Sequence, residues 1–115
     1  MFLFDVVISE SLADLTNRPQ NVIVLDDENA TLECSTDTTS QGSSAIEWKY
    51  DRTLIVHRPC QPADATYIIT SPDSQTDCNI VALAGADRGI SGPYECSEGG
   101  FTQTAAVAMI IVVGT

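Results

Sequence analysis

The sequence predicts an all-β, two-sheet Greek-key sandwich. Three observations carry that expectation. Apolar residues alternate with polar ones in short runs, polar turns separate the runs, and Cys34, Trp48 and Cys96 each stand on such a run. A chain of 115 residues holds one domain with a modest core. Its 43% hydrophobic and 18% charged content is that of a globular domain rather than a disordered tail.

Residues 1–18 read as an N-terminal extension or extra strand, and residues 19–115 as the domain itself. Within the extension, residues 2–8 have strand character and residues 9–15 suit one helical turn. Met1-Phe2-Leu3-Phe4 lacks a basic flank and soon meets Asp5, so it is not an intact signal peptide. Val22–Leu25 is short and largely β-branched, as a strand requires. Asp26, Asp27, Glu28 and Asn29 make a polar turn. Ala30, Leu32 and Cys34 then alternate with Thr31 and Glu33, which gives one buried face. Residues 36–44 are Ser, Thr, Gln and Gly rich and read as a loop. Ile46, Trp48 and Tyr50 share one face of the next strand, with Glu47 and Lys49 on the other. Asp51-Arg52 turns the chain into a strand over Thr53–His57. Strands are also expected over residues 65–70, 79–84, 94–97 and 104–113. In the second of these, Val81 and Leu83 are assigned inward.

Four Cys in a small chain read as two disulfides and an oxidising compartment. The positions 34, 60, 78 and 96 contain no Cys-x-x-Cys pair, which argues against a zinc site. Three disulfide pairings are open. Sixteen Asp and Glu against five Lys and Arg give a net charge of −11. That balance disfavours nucleic acid and anionic lipid as partners. The longest fully apolar run, residues 105–113, is nine residues, against the roughly 18 a membrane helix needs. No direct membrane insertion is expected, and the chain reads as a mature or excised extracellular fragment.

Enzyme chemistry finds little support. His57 is the only His and has no evident Ser or Cys partner, and no spacing marks an acid–base pair of carboxylates. No catalytic residue, metal ligand or cofactor is assigned. Asp26-Asp27-Glu28 suits a charged turn better than a weak Ca²⁺ site. Asn29-Ala30-Thr31 is a sequon for an Asn-linked glycan. Binding is better supported. Residues 105–113 are apolar throughout, yet a sandwich strand puts only alternate residues in the core. About half must therefore face outward, which suggests an interface on an edge strand, the alternative being that residues 2–8 or the Val22–Leu25 strand cover it. Lys49, Arg52, His57 and Arg58 cluster on the ribbon of residues 46–58, beside Glu47 and Asp51.

Residues 19–115 resemble a variable-type domain of the immunoglobulin superfamily, or one intermediate between variable and I-type. The resemblance rests on Leu32 and Cys34 for strand B, Trp48 for strand C, Val81 and Leu83 for strand E, and Gly92, Tyr94 and Cys96 for strand F. It implies a Cys34–Cys96 bridge between the sheets, with the Trp48 indole packed on it and the Tyr94 phenol holding a corner. The 62-residue separation of those Cys leaves room for strand C′ (Thr53–His57) and a C″-like segment. In that strand order Cys60 and Cys78 approach the same end of the sandwich, which implies the second bridge.

Three departures stand out. Ile90 occupies the place of a customary Asp, with Asp87 and Arg88 just upstream. Asp26-Asp27 replaces a customary Gly. The Phe-Gly-x-Gly bulge of strand G is missing, and Gly99-Gly100-Phe101 is its nearest echo. The resemblance implies an extracellular recognition domain of a cell-surface or secreted immune-type receptor or adhesion protein. It would bind a protein, or a second copy of itself, through its GFCC′ face. Lys49, Arg52, Arg58, Glu95, Glu98, Phe101, Ile110 and Val112 are the expected contacts. The alternatives are a spacer module of a multidomain adhesion protein and a secreted carbohydrate-binding effector. With three Tyr, three Phe and one Trp, the chain offers few rings for a sugar platform.

Overall fold

The computed structural model describes residues 15–36, 39–40, 43–71, 76–84, 89–98 and 101–114, and for residues 39–40, 43–44 and 101–104 the backbone alone. All regular structure among them is β. In chain order the strands are β1 (Leu15–Asn17), β2 (Val22–Leu25), β3 (Ala30–Leu32), β4 (Ser35–Thr36), β5 (Thr39–Ser40), β6 (Ser43–Ser44) and β7 (Ile46–Tyr50). There follow β8 (Thr53–His57), β9 (Gln61–Pro62), β10 (Tyr67–Ile69), β11 (Ile80–Ala82), β12 (Gly92–Glu98) and β13 (Phe101–Val113). Residues 1–14, Asp87, Arg88, Gly99 and Gly100 lie outside the described residues.

Two sheets carry the fold. One runs β10-β11-β3, the other β2-β13-β12-β7-β8-β9. In sandwich letters the first is D-E-B and the second is A′-G-F-C-C′ with a short β9 beside C′. All neighbours are antiparallel except β13 and β2, which are parallel. β1 pairs with β4, the continuation of strand B, and Leu15 is buried in the core. The end of the stretch expected as an extension or extra strand thus forms a two-stranded sheet with β4. A β5–β6 hairpin occupies part of the expected 36–44 loop.

The core lies between the two sheets, because each contributes every second side chain to it. Leu32, Tyr67, Ile80 and Ala82 come from the smaller sheet, and Ile46, Trp48, Val56, Tyr94, Ala108 and Ile110 from the larger. The expected inward pair on strand E is corrected here. Ile80 and Ala82 are fully buried, whereas Val81 and Leu83 are half-buried and outside the core cluster. The reason is register. Ile80 stands opposite Leu32 and Ala82 opposite Ala30, and residues directly opposite on paired strands share a face.

Both disulfides form, Cys34–Cys96 and Cys60–Cys78. They are neighbours, since the Cys78 N–H donates to the Cys34 carbonyl at 2.8 Å. The Trp48 indole is fully buried in the same cluster, and its Nε1–H donates to the Cys78 carbonyl at 2.8 Å. The Tyr94 hydroxyl donates to the Ile90 carbonyl at 2.7 Å and lies 3.3 Å from the Tyr67 hydroxyl. Ile90, at the place of the customary Asp, is buried among apolar residues. That corner is therefore held by packing and the Tyr94 bond.

Gly92 opens β12 at φ 134°, and the Tyr50 ring lies over it, so that an added Cβ would meet Cε1 at 3.0 Å. The Tyr50 hydroxyl donates to the Ser91 carbonyl at 2.6 Å, and its ring packs 4.8 Å from that of Tyr94. Gly92→Ala therefore meets a backbone penalty of about 1–3 kcal/mol and displaces Tyr50. The expected result is a fall of about that size in urea unfolding free energy, with a changed near-ultraviolet tyrosine signal. An unchanged midpoint would refute the assigned backbone.

Candidate protein interface on the larger sheet

The outward face of the six-stranded sheet gathers most of the exposed apolar side chains. On β13 the alternation is now visible. Ala108 and Ile110 are buried and Val112 is half-buried against the core, while Val107, Met109, Ile111 and Val113 face out. The expected contacts Ile110 and Val112 are corrected accordingly: both belong to the inward row. β13 is also not an edge. β2 hydrogen-bonds along it, pairing Ile111 with Ile23 and Val113 with Leu25. This neighbour protects the backbone of β13 and widens the apolar strip, because Ile23, 68% exposed, stands beside Ile111 at 41%. Asn21 fastens the pair by accepting the Met109 N–H through Oδ1 at 2.8 Å.

The other half of the face is charged. Leu54, Lys49, Glu95 and Val107 stand opposite one another across β8, β7, β12 and β13. Asp51 and Arg52 form the two-residue turn between β7 and β8, both at positive φ, as the twist of a tight hairpin requires. The Asp51 N–H donates to the Pro93 carbonyl at 3.1 Å and ties the turn to β12. Lys49, Asp51, Arg52, Pro93, Glu95 and Val107 line one open hollow of about 280 Å³. The fold thus brings together the expected contacts Lys49, Arg52 and Glu95. Arg58 lies beyond β8, where its Nε is 3.4 Å from Glu47 Oε2. With the Arg58 side chain about half exposed, this pair contributes little to stability.

Glu98 is the third correction. It was expected on the surface but is 4% exposed, and its Oε2 accepts the Thr36 hydroxyl at 3.0 Å. Strand β12 runs one residue further than the expected 94–97 strand, so the inward alternation of Tyr94 and Cys96 carries on to Glu98. The side chain of Phe101 lies outside the described residues. The outward residues of this candidate face that the sequence did not single out by number are Ile23, Leu25, Pro93, Val107, Met109, Ile111 and Val113. The apolar run gave the presence of an outward row on β13 but not its phase.

The charge distribution separates this face from the rest of the surface. Among the described residues of this face Glu47, Asp51 and Glu95 balance Lys49, Arg52 and Arg58, while the chain as a whole carries −11. The other polar groups singled out in the sequence have structural uses. Glu28 accepts the Leu25 N–H through Oε1 at 2.9 Å, which closes the turn after β2. His57 is exposed, with Nδ1 3.1 Å from the Arg58 carbonyl. Among the described residues no three His, Cys, Asp or Glu gather closely enough to hold a metal ion.

No protein-family model and no curated protein matches the sequence. Solved structures do. The D1 domain of Duf (Kirre) is similar at a TM-score of 0.68 and 16% identity, over 90% of this chain and 99% of that one. The Ig1 domain of mouse SynCAM 2 is similar at 0.63 and 21% identity, over 84% and 94% of the two chains. Domain I10 from titin is similar at 0.66 and 14% identity, over 89% and 99%. Together with the two sheets, their strand order and the Cys34–Cys96 bridge, these likenesses identify the architecture as an immunoglobulin-type sandwich.

Proposed function

We propose that this chain is an extracellular, variable-type immunoglobulin recognition module that binds protein through the outward A′GFCC′ face, with a second copy of itself as the first partner. The observation that carries the reading is a face with an apolar strip and balanced charges among its described residues, on a chain of net charge −11. Two copies repel wherever acidic surfaces meet. Through this face they do not. An isologous interface presents the same groups to itself, and a patch that carries both signs can pair its charges across the twofold. The two disulfides support an extracellular setting. The short β9 beside C′ supports the variable type. We read the chain as a binding module rather than an enzyme.

Sedimentation across a concentration series, at low and high salt, tests the reading. A dimer that persists at high salt is expected, because apolar burial is insensitive to screening. Ile111→Lys introduces a charge at an outward position and should weaken association at least tenfold, about 1.4 kcal/mol. Its own unfolding free energy should change by no more than about 0.5 kcal/mol. A monomer at every concentration would withdraw the second copy and send the search to a different protein or a neighbouring domain. Binding to a glycan array would instead favour the carbohydrate reading.

A further inference from the structure

We propose that Asn29 carries an Asn-linked glycan that covers the outward face of the three-stranded sheet, leaving the A′GFCC′ face as the bare one. This inference rests on the extracellular reading above. Asn29-Ala30-Thr31 is the one sequon in the chain. Asn29 and Thr31 are exposed, and Ala30 between them is buried. The carboxamide is already oriented, because Asn29 Oδ1 accepts the Ala84 N–H at 2.8 Å. Glycan transfer uses the other atom. Nδ2 attacks the anomeric carbon of an oligosaccharide activated as a lipid diphosphate. The new carbon–nitrogen bond forms, the bond to the diphosphate oxygen breaks with its electron pair, and one Nδ2 proton is lost. Oδ1 remains a carbonyl acceptor, so the bond to Ala84 survives the modification.

The position decides what the glycan does. Thr31 faces outward on β3, opposite Val81 on β11, which stands opposite Ile68 on β10. Ile68 is 48% exposed. At about 4.8 Å per strand, it lies about 10 Å across the sheet from Thr31, within the span of a branched glycan rooted at the end of β3. The apolar strip of β2 and β13 lies on the opposite face of the sandwich. A glycan there hides Ile68 and leaves Ile23 and Ile111 open.

The test is to send the whole chain through the secretory pathway of a eukaryotic cell behind a cleaved leader, beside Thr31→Val. Valine keeps the shape and strand preference of the exposed Thr31 while removing the hydroxyl the transferase requires. Peptide mapping should find a glycan on Asn29 of the parent and none on the variant, with the two unfolding at the same urea midpoint. Covalent footprinting of the parent, before and after glycosidase, should show labelling at Ile68 rising at least twofold, with Ile23 and Ile111 unchanged. A secreted, disulfide-bonded chain with bare Asn29 overturns the glycan alone. A chain held in the cell with four free thiols overturns the extracellular reading and the glycan with it. Unchanged labelling at Ile68, or a rise at Ile23 or Ile111, overturns the placement of the cover.

Discussion

Replacing Cys34 and Cys96 together by Ala should lower the unfolding free energy by about 4 kcal/mol. The bridge spans 62 residues, and in the chain-entropy model a loop of that size restricts the unfolded chain by about that amount. The Cys60–Cys78 bridge spans 18 residues and is worth about 3 kcal/mol in the same model. The difference is small because the loop term grows only with the logarithm of length. The longer bridge has a second effect in the folded state. Both its sulfurs are fully buried between the sheets, so two Ala residues leave a void that the core cannot fully close. Domains of this size hold only about 5–15 kcal/mol in all. The double variant should therefore fold marginally, and the Cys60→Ala, Cys78→Ala variant more securely. Urea unfolding of the three oxidised proteins measures this. A loss under about 1 kcal/mol for the first variant would mean that the bridge does not constrain the unfolded chain as assigned.

The second large effect is expected at Trp48. Trp48→Ala should cost about 3–5 kcal/mol, the usual loss for a buried large aromatic. The indole is fully buried and is the largest side chain in the core. Its removal also strands the Cys78 carbonyl, which accepts the indole N–H. Trp48→Phe separates the two contributions. It keeps an aromatic ring in the site but no donor, so about 1–3 kcal/mol should be lost from the unsatisfied carbonyl, together with the smaller cost of reduced volume. Denaturant midpoints of parent, Phe and Ala variants should fall in that order. If the Ala variant matched the parent in stability, Trp48 would not be the centre of this core.

Much of the architecture was legible from local pattern. Leu32, Cys34, Trp48, Tyr94 and Cys96 lie on short runs whose alternation has period two, and period two says which side chains share a face. All five are buried. The turn at Asp51-Arg52 and the boundaries of Val22–Leu25, β7 and β8 were readable for the same reason, as changes from alternating to polar residues. The two bridges followed from a resemblance that supplied a strand order, since four Cys alone leave three pairings.

The candidate face was legible only in outline. Residues 105–113 are apolar without alternation, so no pattern within them says which half faces water. Their phase comes from pairing, with Ala108 opposite the inward Tyr94 and Val107 opposite the outward Glu95. Shifting that register by one residue would exchange every buried side chain for an exposed one. Leu83 and Glu98 show the same dependence. Strand E takes its phase from Leu32 and Ala30 across the sheet, and Glu98 turns inward because β12 outlasts its apolar alternation. Residue types and spacing thus established the β class, the acidity and the sequon, and the resemblance supplied the central Cys and Trp. The choice of outward side chains, the parallel register of β2 on β13 and the gathering of Lys49, Arg52 and Glu95 on one face depend on cross-strand register, which residues distant in the chain set through their pairing.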